Sequence, residues 1–74
     1  MIDATEHLPM VSKIAGQFYK RFSFKYGYDE LFQAGCVGLM KAIKKFDRSK
    51  NFKFSTYAYT TIWGSIHNFA RDDN

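Results

Sequence analysis

Residues 28–58 read YDELFQAGCVGLMKAIKKFDRSKNFKFSTYA, and this stretch decides the fold. Its first half carries large apolar residues at steps of three and four, the spacing of one face of an α-helix. Asp29 and Glu30 suit the start of a helix, where the dipole is positive. A helix is therefore predicted from Tyr28 or Asp29, and its buried stripe is Phe32, Cys36, Leu39, Ile43 and Phe46.

Two glycines, Gly35 and Gly38, lie inside this predicted helix. Each costs about 1 kcal/mol of helix stability relative to alanine. Close approach of another helix across these small residues would offset that cost. The glycines therefore predict a tight helix–helix contact.

The segment Asp47–Asn51 (DRSKN) is predicted to be a turn, and Ser55 or Thr56 is predicted to cap a third helix. Alternation of aromatic and polar residues in Phe52–Phe54 and Tyr57–Tyr59 leaves a strand open as an alternative. The buried stripe of the third helix is predicted to be Ala58, Ile62, Ile66 and Phe69. The opposite face is small and polar and comprises Tyr57, Thr60, Thr61, Gly64, His67 and Arg71.

Upstream, helical spacing also runs from Leu8 to Phe22, with Pro9 in the first turn and Gly27 in the linker that follows. The apolar residues of this helix are Leu8, Val11, Ile14, Ala15, Phe18, Tyr19 and Phe22. The pattern predicts an all-α fold, a compact bundle of three helices or of four. We expect residues 1–74 to form a single domain.

Charge and aromatic residues are concentrated between Lys41 and Tyr59, which hold six cations, one acid and five aromatic residues. Cations bind phosphates, and aromatic faces stack on unpaired bases. The segment therefore fits a single-stranded nucleic acid, although buried aromatics beside solvated lysines would have the same composition. The net charge of +4 favours an anionic partner only weakly.

Several function classes find no support in the sequence. The single cysteine, Cys36, cannot form an intramolecular disulfide, which fits a reducing, cytoplasmic setting. His7 and His67 lie far apart, and no catalytic constellation, metal-ligand cluster or phosphate-binding glycine loop is apparent. We therefore expect no enzyme activity, no metal and no cofactor. No apolar run is long enough to span a bilayer, and the N-terminus is not a signal peptide, so we expect no membrane association.

One ordered set of residues matches a known family without gaps over about 30 positions. The set is Glu30-Leu31, Gln33, Gly35, Gly38-Leu39, Ala42, Phe46-Asp47 and Phe54-Ser55-Thr56-Tyr57-Ala58. In this order and spacing the chain resembles region 2 of the sigma factors of bacterial RNA polymerase. The tail IWGSIHNFARDD resembles the ending of the sporulation and general-stress branch.

The resemblance implies a role in transcription initiation with two binding surfaces. The first is the second helix, which in the family docks on the clamp helices of the largest subunit of core RNA polymerase. The matching positions, together with a residual apolar Leu-Met face, are Glu30, Leu31, Gln33, Ala34, Cys36 and Met40. Glu30 replaces the usual aspartate, and Ala34 and Cys36 replace more polar residues.

The second implied surface binds promoter DNA, where the family flips a base of the non-template strand of the minus-ten element into an aromatic pocket. Tyr57 is implied to stack on the base, and Lys50 and Lys53 to contact phosphates. Gly64 and His67 match positions that read the upstream edge as duplex, and Thr60 and Thr61 stand where housekeeping members carry a wedge of two tryptophans. The implied pocket residues are Phe46, Phe52, Phe54, Thr56 and Tyr57.

Nothing in the sequence resembles region 4, which reads the minus-thirty-five element in this family. The chain is therefore interpreted either as an excised domain or as a small protein that acts with a separate region 4-bearing subunit. Two other functions stay open. One is a standalone single-stranded DNA-binding module, and the other is a polymerase-clamp-binding inhibitor that does not contact DNA.

Overall fold

The computed structural model describes residues 2–49 and 51–72. These residues form a short 3-10 turn, Ala4–His7, followed by three α-helices. Helix α1 spans Leu8–Phe22, α2 spans Tyr28–Lys45 and α3 spans Phe54–Asp72. No strand occurs in the two described ranges, so the three-helix, all-α prediction is confirmed and the strand alternative is wrong.

The core lies where the three helices meet. Helix α2 packs most extensively on α3, and α1 lies against both. The α1 stripe is largely as predicted, except that Tyr19 is 40% exposed and Leu8 and Phe22 are half-buried. The buried apolar residues are Val11, Ile14, Ala15, Phe18, Tyr26, Leu31, Leu39, Ala42, Ala58, Ile62, Ile66 and Ala70.

The predicted buried stripe of α2 is mostly wrong. Of its five members only Leu39 is buried, and the other four are half-buried at the edges of the core. The prediction placed the largest apolar side chains in the core. In the structure the small residues of α2 face α3, because they let the two backbones approach. The buried face of α2 comprises Leu31, Gly35, Gly38, Leu39 and Ala42.

The close approach at the two glycines is confirmed. A Cβ atom added to Gly38 would lie 2.7 Å from Ser65 Cβ and 2.9 Å from Ile62 Cα. At Gly35 the added atom would lie 2.7 Å from Val11 Cγ1. Ser65 Oγ also donates a hydrogen bond of 2.8 Å to the Ala34 carbonyl oxygen. Helices α2 and α3 are therefore held in contact at backbone distance.

Gly38→Ala is expected to destabilise the domain by about 1 to 2 kcal/mol. The added methyl group overpacks a site bordered by backbone, and overpacking costs about 1–3 kcal/mol, partly offset by the higher helix propensity of alanine. Gly16→Ala in α1 is the matched control, because a Cβ added there meets nothing within 4 Å. Urea unfolding followed by circular dichroism should show that Gly16→Ala is the most stable of the three proteins, wild type the next and Gly38→Ala the least stable. A Gly38→Ala domain as stable as wild type would contradict the close contact.

Helix α3 begins earlier than predicted. The Lys53 carbonyl oxygen accepts the Tyr57 N–H at 3.3 Å, so Ser55 and Thr56 lie inside the first turn and do not cap it. Near the other end Phe69 is 38% exposed, and Ala70 takes the buried position instead.

A core residue that the sequence did not indicate lies in the linker between α1 and α2. Tyr26 is buried, its ring centroid is 5.0 Å from that of Phe69, and its hydroxyl donates to the Ala70 carbonyl oxygen at 3.3 Å. The linker is thereby tied to the last turns of α3. The only sign of this burial in the sequence is that an aromatic residue, Tyr26, stands in a segment otherwise typical of a turn.

Candidate nucleic-acid interface

The side chain of Phe46, where α2 ends, contacts three other aromatic side chains. Its ring centroid lies 5.8 Å from Phe52, 5.2 Å from Phe54 and 5.8 Å from Tyr57. Phe52 and Tyr57 are also 6.0 Å apart. We call these four residues the Phe46 cluster. The structure thus brings together all four aromatic residues of the implied base pocket.

The Phe46 cluster lies at the surface. Phe52 is 44% exposed, and the other three members are half-buried. Phe54 also makes an edge contact with His7, with centroids 4.8 Å apart, so the 3-10 turn closes one side of the cluster. Aromatic faces that remain partly open can stack on a base, which fully buried rings cannot do.

The loop that carries Phe52 is shaped by Asp47. One carboxylate oxygen of Asp47 accepts hydrogen bonds from the Ser49 hydroxyl at 2.7 Å and from the Ser49 N–H at 2.9 Å. These bonds, the hydroxyl first, lower the pKa of Asp47 below its usual value. The predicted turn at this position is present in its described part.

Positively charged residues lie on the same segments of the chain as the cluster. Lys44, Lys45, Arg48 and Lys53 are all exposed on the last turn of α2, the loop and the residue before α3. Lys50, the other predicted phosphate contact, lies outside the described residues. The described cations alone are enough to attract a phosphate backbone to this end of the bundle.

The outward face of α3 carries the remaining predicted DNA contacts. Thr56 and Thr60 are exposed, and Thr61 is half-buried. The hydroxyls of Thr60 and Thr61 donate to the carbonyl oxygens of Thr56 and Tyr57 at 3.3 and 3.0 Å, so both are satisfied within the helix. A Cβ added to Gly64 would meet nothing within 4 Å, which leaves the helix backbone open there.

His67 has a neighbour that the sequence did not indicate as a site residue. Its imidazole stacks on the Trp63 indole, with centroids 4.8 Å apart and an interplanar angle of 13°. The part of α3 around Gly64 is therefore aromatic as well as polar. The signal available in the sequence was the spacing of four between these two rings.

The predicted polymerase-docking residues separate into two groups. Gln33 is exposed and Met40 is 60% exposed, and between them Val37 is 51% exposed. These three residues follow each other at steps of four and three, so they share one side of the helix, which we call the α2 outer face. Val37 was not predicted; its spacing from Gln33 and Met40 would have identified it.

The other docking positions are less accessible or already engaged. The expected exposure of Leu31 is wrong: its side chain is fully buried, because it belongs to the face of α2 that packs in the core. Ala34 and Cys36 are half-buried, and burial raises the pKa of the Cys36 thiol. Glu30 is exposed, and its carboxylate accepts the Gly27 N–H at 2.9 Å at the start of α2.

Residues 2–49 and 51–72 contain neither a metal-ligand cluster nor a membrane span. No group of three or more histidine, cysteine, aspartate or glutamate side chains is arranged to hold a metal ion. None of the described helices is long and apolar enough to cross a membrane.

Comparison with known proteins agrees with the geometry. The model of the sigma-70 region 2 family matches residues 4–74. The chain is 54% identical over 56 residues to the RNA polymerase sigma-G factor of Bacillus subtilis, a match that covers 74% of this chain and 22% of that protein. It is 44% identical over 68 residues to the RNA polymerase sigma-F factor of Priestia megaterium, covering 92% of this chain and 26% of the relative.

A more distant relative is the RNA polymerase sigma factor RpoH of Caulobacter vibrioides, which is 42% identical over 65 residues, or 88% of this chain and 21% of the relative. No solved structure matches the chain. The chain spans about a quarter of the length of these three relatives. It belongs to the sigma-70 region 2 family.

Proposed function

We propose that this domain acts in transcription initiation by binding core RNA polymerase and the minus-ten element of a promoter. The observation that carries the proposal is the Phe46 cluster: four aromatic rings at the surface, next to exposed lysines and an arginine. A base flipped from the non-template strand would enter this cluster and stack on Tyr57. Stacking offsets part of the few kcal/mol that flipping costs.

In this proposal phosphates of the same strand contact Lys53 and Lys50. The face of α3 that carries Thr60, Gly64 and His67 lies against the upstream edge of the element. Thr60 and Thr61 are too small to act as an aromatic wedge, so melting depends more heavily on the captured base. A narrow set of promoters is the expected consequence.

The α2 outer face would dock on the clamp helices of the largest polymerase subunit. Val37 and Met40 expose apolar side chains beside the polar Gln33, the mixture that a partner surface requires. A standalone DNA-binding module has no need of this face. An inhibitor that binds only the clamp has no need of the Phe46 cluster. The presence of both surfaces favours the sigma-type function over the two alternatives.

Replacement of both Gln33 and Met40 by alanine is expected to weaken binding to core polymerase about tenfold or more, since truncation of the few residues that dominate an interface costs more than about 1 kcal/mol each. The measurement is retention of core polymerase on immobilised domain. Lys13→Ala with Lys20→Ala, both exposed on α1, is the matched control and should bind like wild type. Equal retention of all three proteins would exclude the α2 outer face as the docking surface.

Recognition of an upstream element by a separate region 4-bearing subunit remains a prediction. Addition of a candidate subunit of that kind to the same binding assay tests it, because a co-acting subunit should be retained only when the domain and polymerase are both present.

A further inference from the structure

A groove of about 320 Å³ lies between α1 and α3. None of its lining residues belongs to the Phe46 cluster, and only His67 is among the predicted DNA contacts. The groove is lined by Gln17, Phe18, Arg21, Phe22, Trp63 and His67.

The floor of the groove is aromatic. Trp63 stacks on His67, and the Phe18 ring lies 5.4 Å from Trp63 at an angle of 60°. Trp63 nevertheless remains 41% exposed, so a substantial part of its surface is not covered by the protein. Exposed indole next to a stacked imidazole offers a flat platform for a nucleobase.

The rim of the groove is positively charged. Arg21 lines it and is exposed, and Lys20, also exposed, is the preceding residue of α1. Among the described residues, none that lines the groove is acidic. A guanidinium group forms paired hydrogen bonds with phosphate oxygens. An anion that also carries a flat ring is complementary to this combination.

The groove is also continuous with the proposed DNA-binding face. Tyr57, Thr60 and Trp63 follow each other at steps of three along α3, and Tyr59, Thr60 and Trp63 line a second, smaller hollow. At a rise of 1.5 Å per residue, Tyr57 and Trp63 are about 9 Å apart along the helix axis. The two side chains also lie about 120° apart around the helix, so nucleotides a few positions apart in one strand, and not adjacent ones, would occupy the two sites.

We propose that the groove is a second nucleotide-binding site, in which an unpaired base stacks on the Trp63–His67 pair and its phosphate binds Arg21. The strand is then already open at His67, where the resemblance implies duplex. The inference rests on the proposed function for the identity of the ligand as a DNA strand. Two nucleotides of that strand would then be gripped, one in the Phe46 cluster and one in the groove. Trp63 and Arg21 would add affinity that the two threonines at positions 60 and 61 do not supply.

The single tryptophan of the chain makes the test direct, because its fluorescence reports on the groove and on the smaller hollow that Trp63 also lines, and dependence of the signal on Arg21 assigns it to the groove. Titration with a single-stranded DNA pentanucleotide is expected to quench Trp63 fluorescence saturably. Arg21→Gln should raise the midpoint about tenfold, since a charge-assisted hydrogen bond is lost, and lower the slope of log affinity against log salt by about 0.7. Lys13→Gln, a loss of one positive charge at an exposed position of α1 outside the groove, should leave both values unchanged.

Two outcomes would overturn the proposal. One is the absence of quenching at concentrations where fluorescence anisotropy shows that a labelled pentanucleotide is bound. The other is equal quenching by a polyglutamate peptide, which would identify an acidic protein segment as the occupant.

The Tyr57→Ala variant separates this inference from the proposed function. Quenching that survives Tyr57→Ala supports the groove even if binding to the minus-ten strand does not depend on Tyr57. Conversely, DNA binding that depends on Tyr57 without any Trp63 quenching overturns the groove and leaves the proposed function intact.

Discussion

Leu31→Ala is expected to lower the free energy of unfolding by about 3 kcal/mol, because truncation of a fully buried leucine removes apolar contacts and leaves a cavity. A domain of this length has a total stability of roughly 4–11 kcal/mol, so the loss is a large fraction. The melting temperature should fall by about 12–24 °C. Thermal unfolding followed by circular dichroism measures this directly.

Met40→Ala is the matched control on the same helix. Its side chain is 60% exposed, so truncation should change the stability by no more than about 0.5 kcal/mol. The pair also separates folding from docking: Leu31→Ala weakens polymerase binding only through unfolding, whereas Met40→Ala weakens it in a folded domain. Similar melting temperatures for the two variants would contradict the orientation of α2.

Tyr57→Ala is expected to reduce affinity for the single-stranded non-template minus-ten sequence about tenfold or more, since loss of one stacked base costs about 1–3 kcal/mol. The measurement is fluorescence anisotropy of a labelled oligonucleotide in the presence of core polymerase. Tyr57→Phe retains the ring and should bind within about twofold of wild type, because stacking does not require the hydroxyl.

A second tyrosine on α3 provides the control for Tyr57. Tyr59 is 42% exposed and makes no ring contact with the Phe46 cluster among the described contacts. Tyr59→Ala should therefore cost much less minus-ten affinity than Tyr57→Ala. Equal losses for Tyr57→Ala and Tyr59→Ala would mean that any exposed ring on this helix contributes, and that the cluster is not a specific pocket.

The helices themselves could be predicted from the sequence because periodicity and turn residues are local signals. The start of α2 at Tyr28 and the range of α1 follow from apolar spacing and from Gly27. The inward and outward faces of α2 were predicted less well. The prediction assumed that the largest apolar side chains are buried, whereas the buried face includes glycine and alanine. Gly35 and Gly38 were recognised as a contact site, yet the predicted stripe is centred about 90° away from them around the helix.

In the candidate site, too, the contacts between residues close in sequence were predicted better than the contacts made by tertiary packing. The Phe46 cluster could be predicted because its members are close in sequence and match a family motif. The groove beside Trp63 and His67 and the burial of Tyr26 depend on α1 and on the linker packing against α3, which no local pattern encodes. Only the stacking of Trp63 on His67 had a local signal, their spacing of four. Residues brought together by tertiary packing were therefore the ones that the sequence did not reveal.

The central claim is that one small domain binds polymerase and a promoter strand through two separate surfaces. The most direct test is the anisotropy of a labelled minus-ten non-template oligonucleotide, titrated with the domain alone, core polymerase alone and both together. We predict tight, sequence-dependent binding only with both, and its loss in Tyr57→Ala and in Gln33→Ala with Met40→Ala. Equally tight binding by the domain alone, whatever the DNA sequence, or a domain–polymerase complex with no added affinity for DNA, would contradict the account.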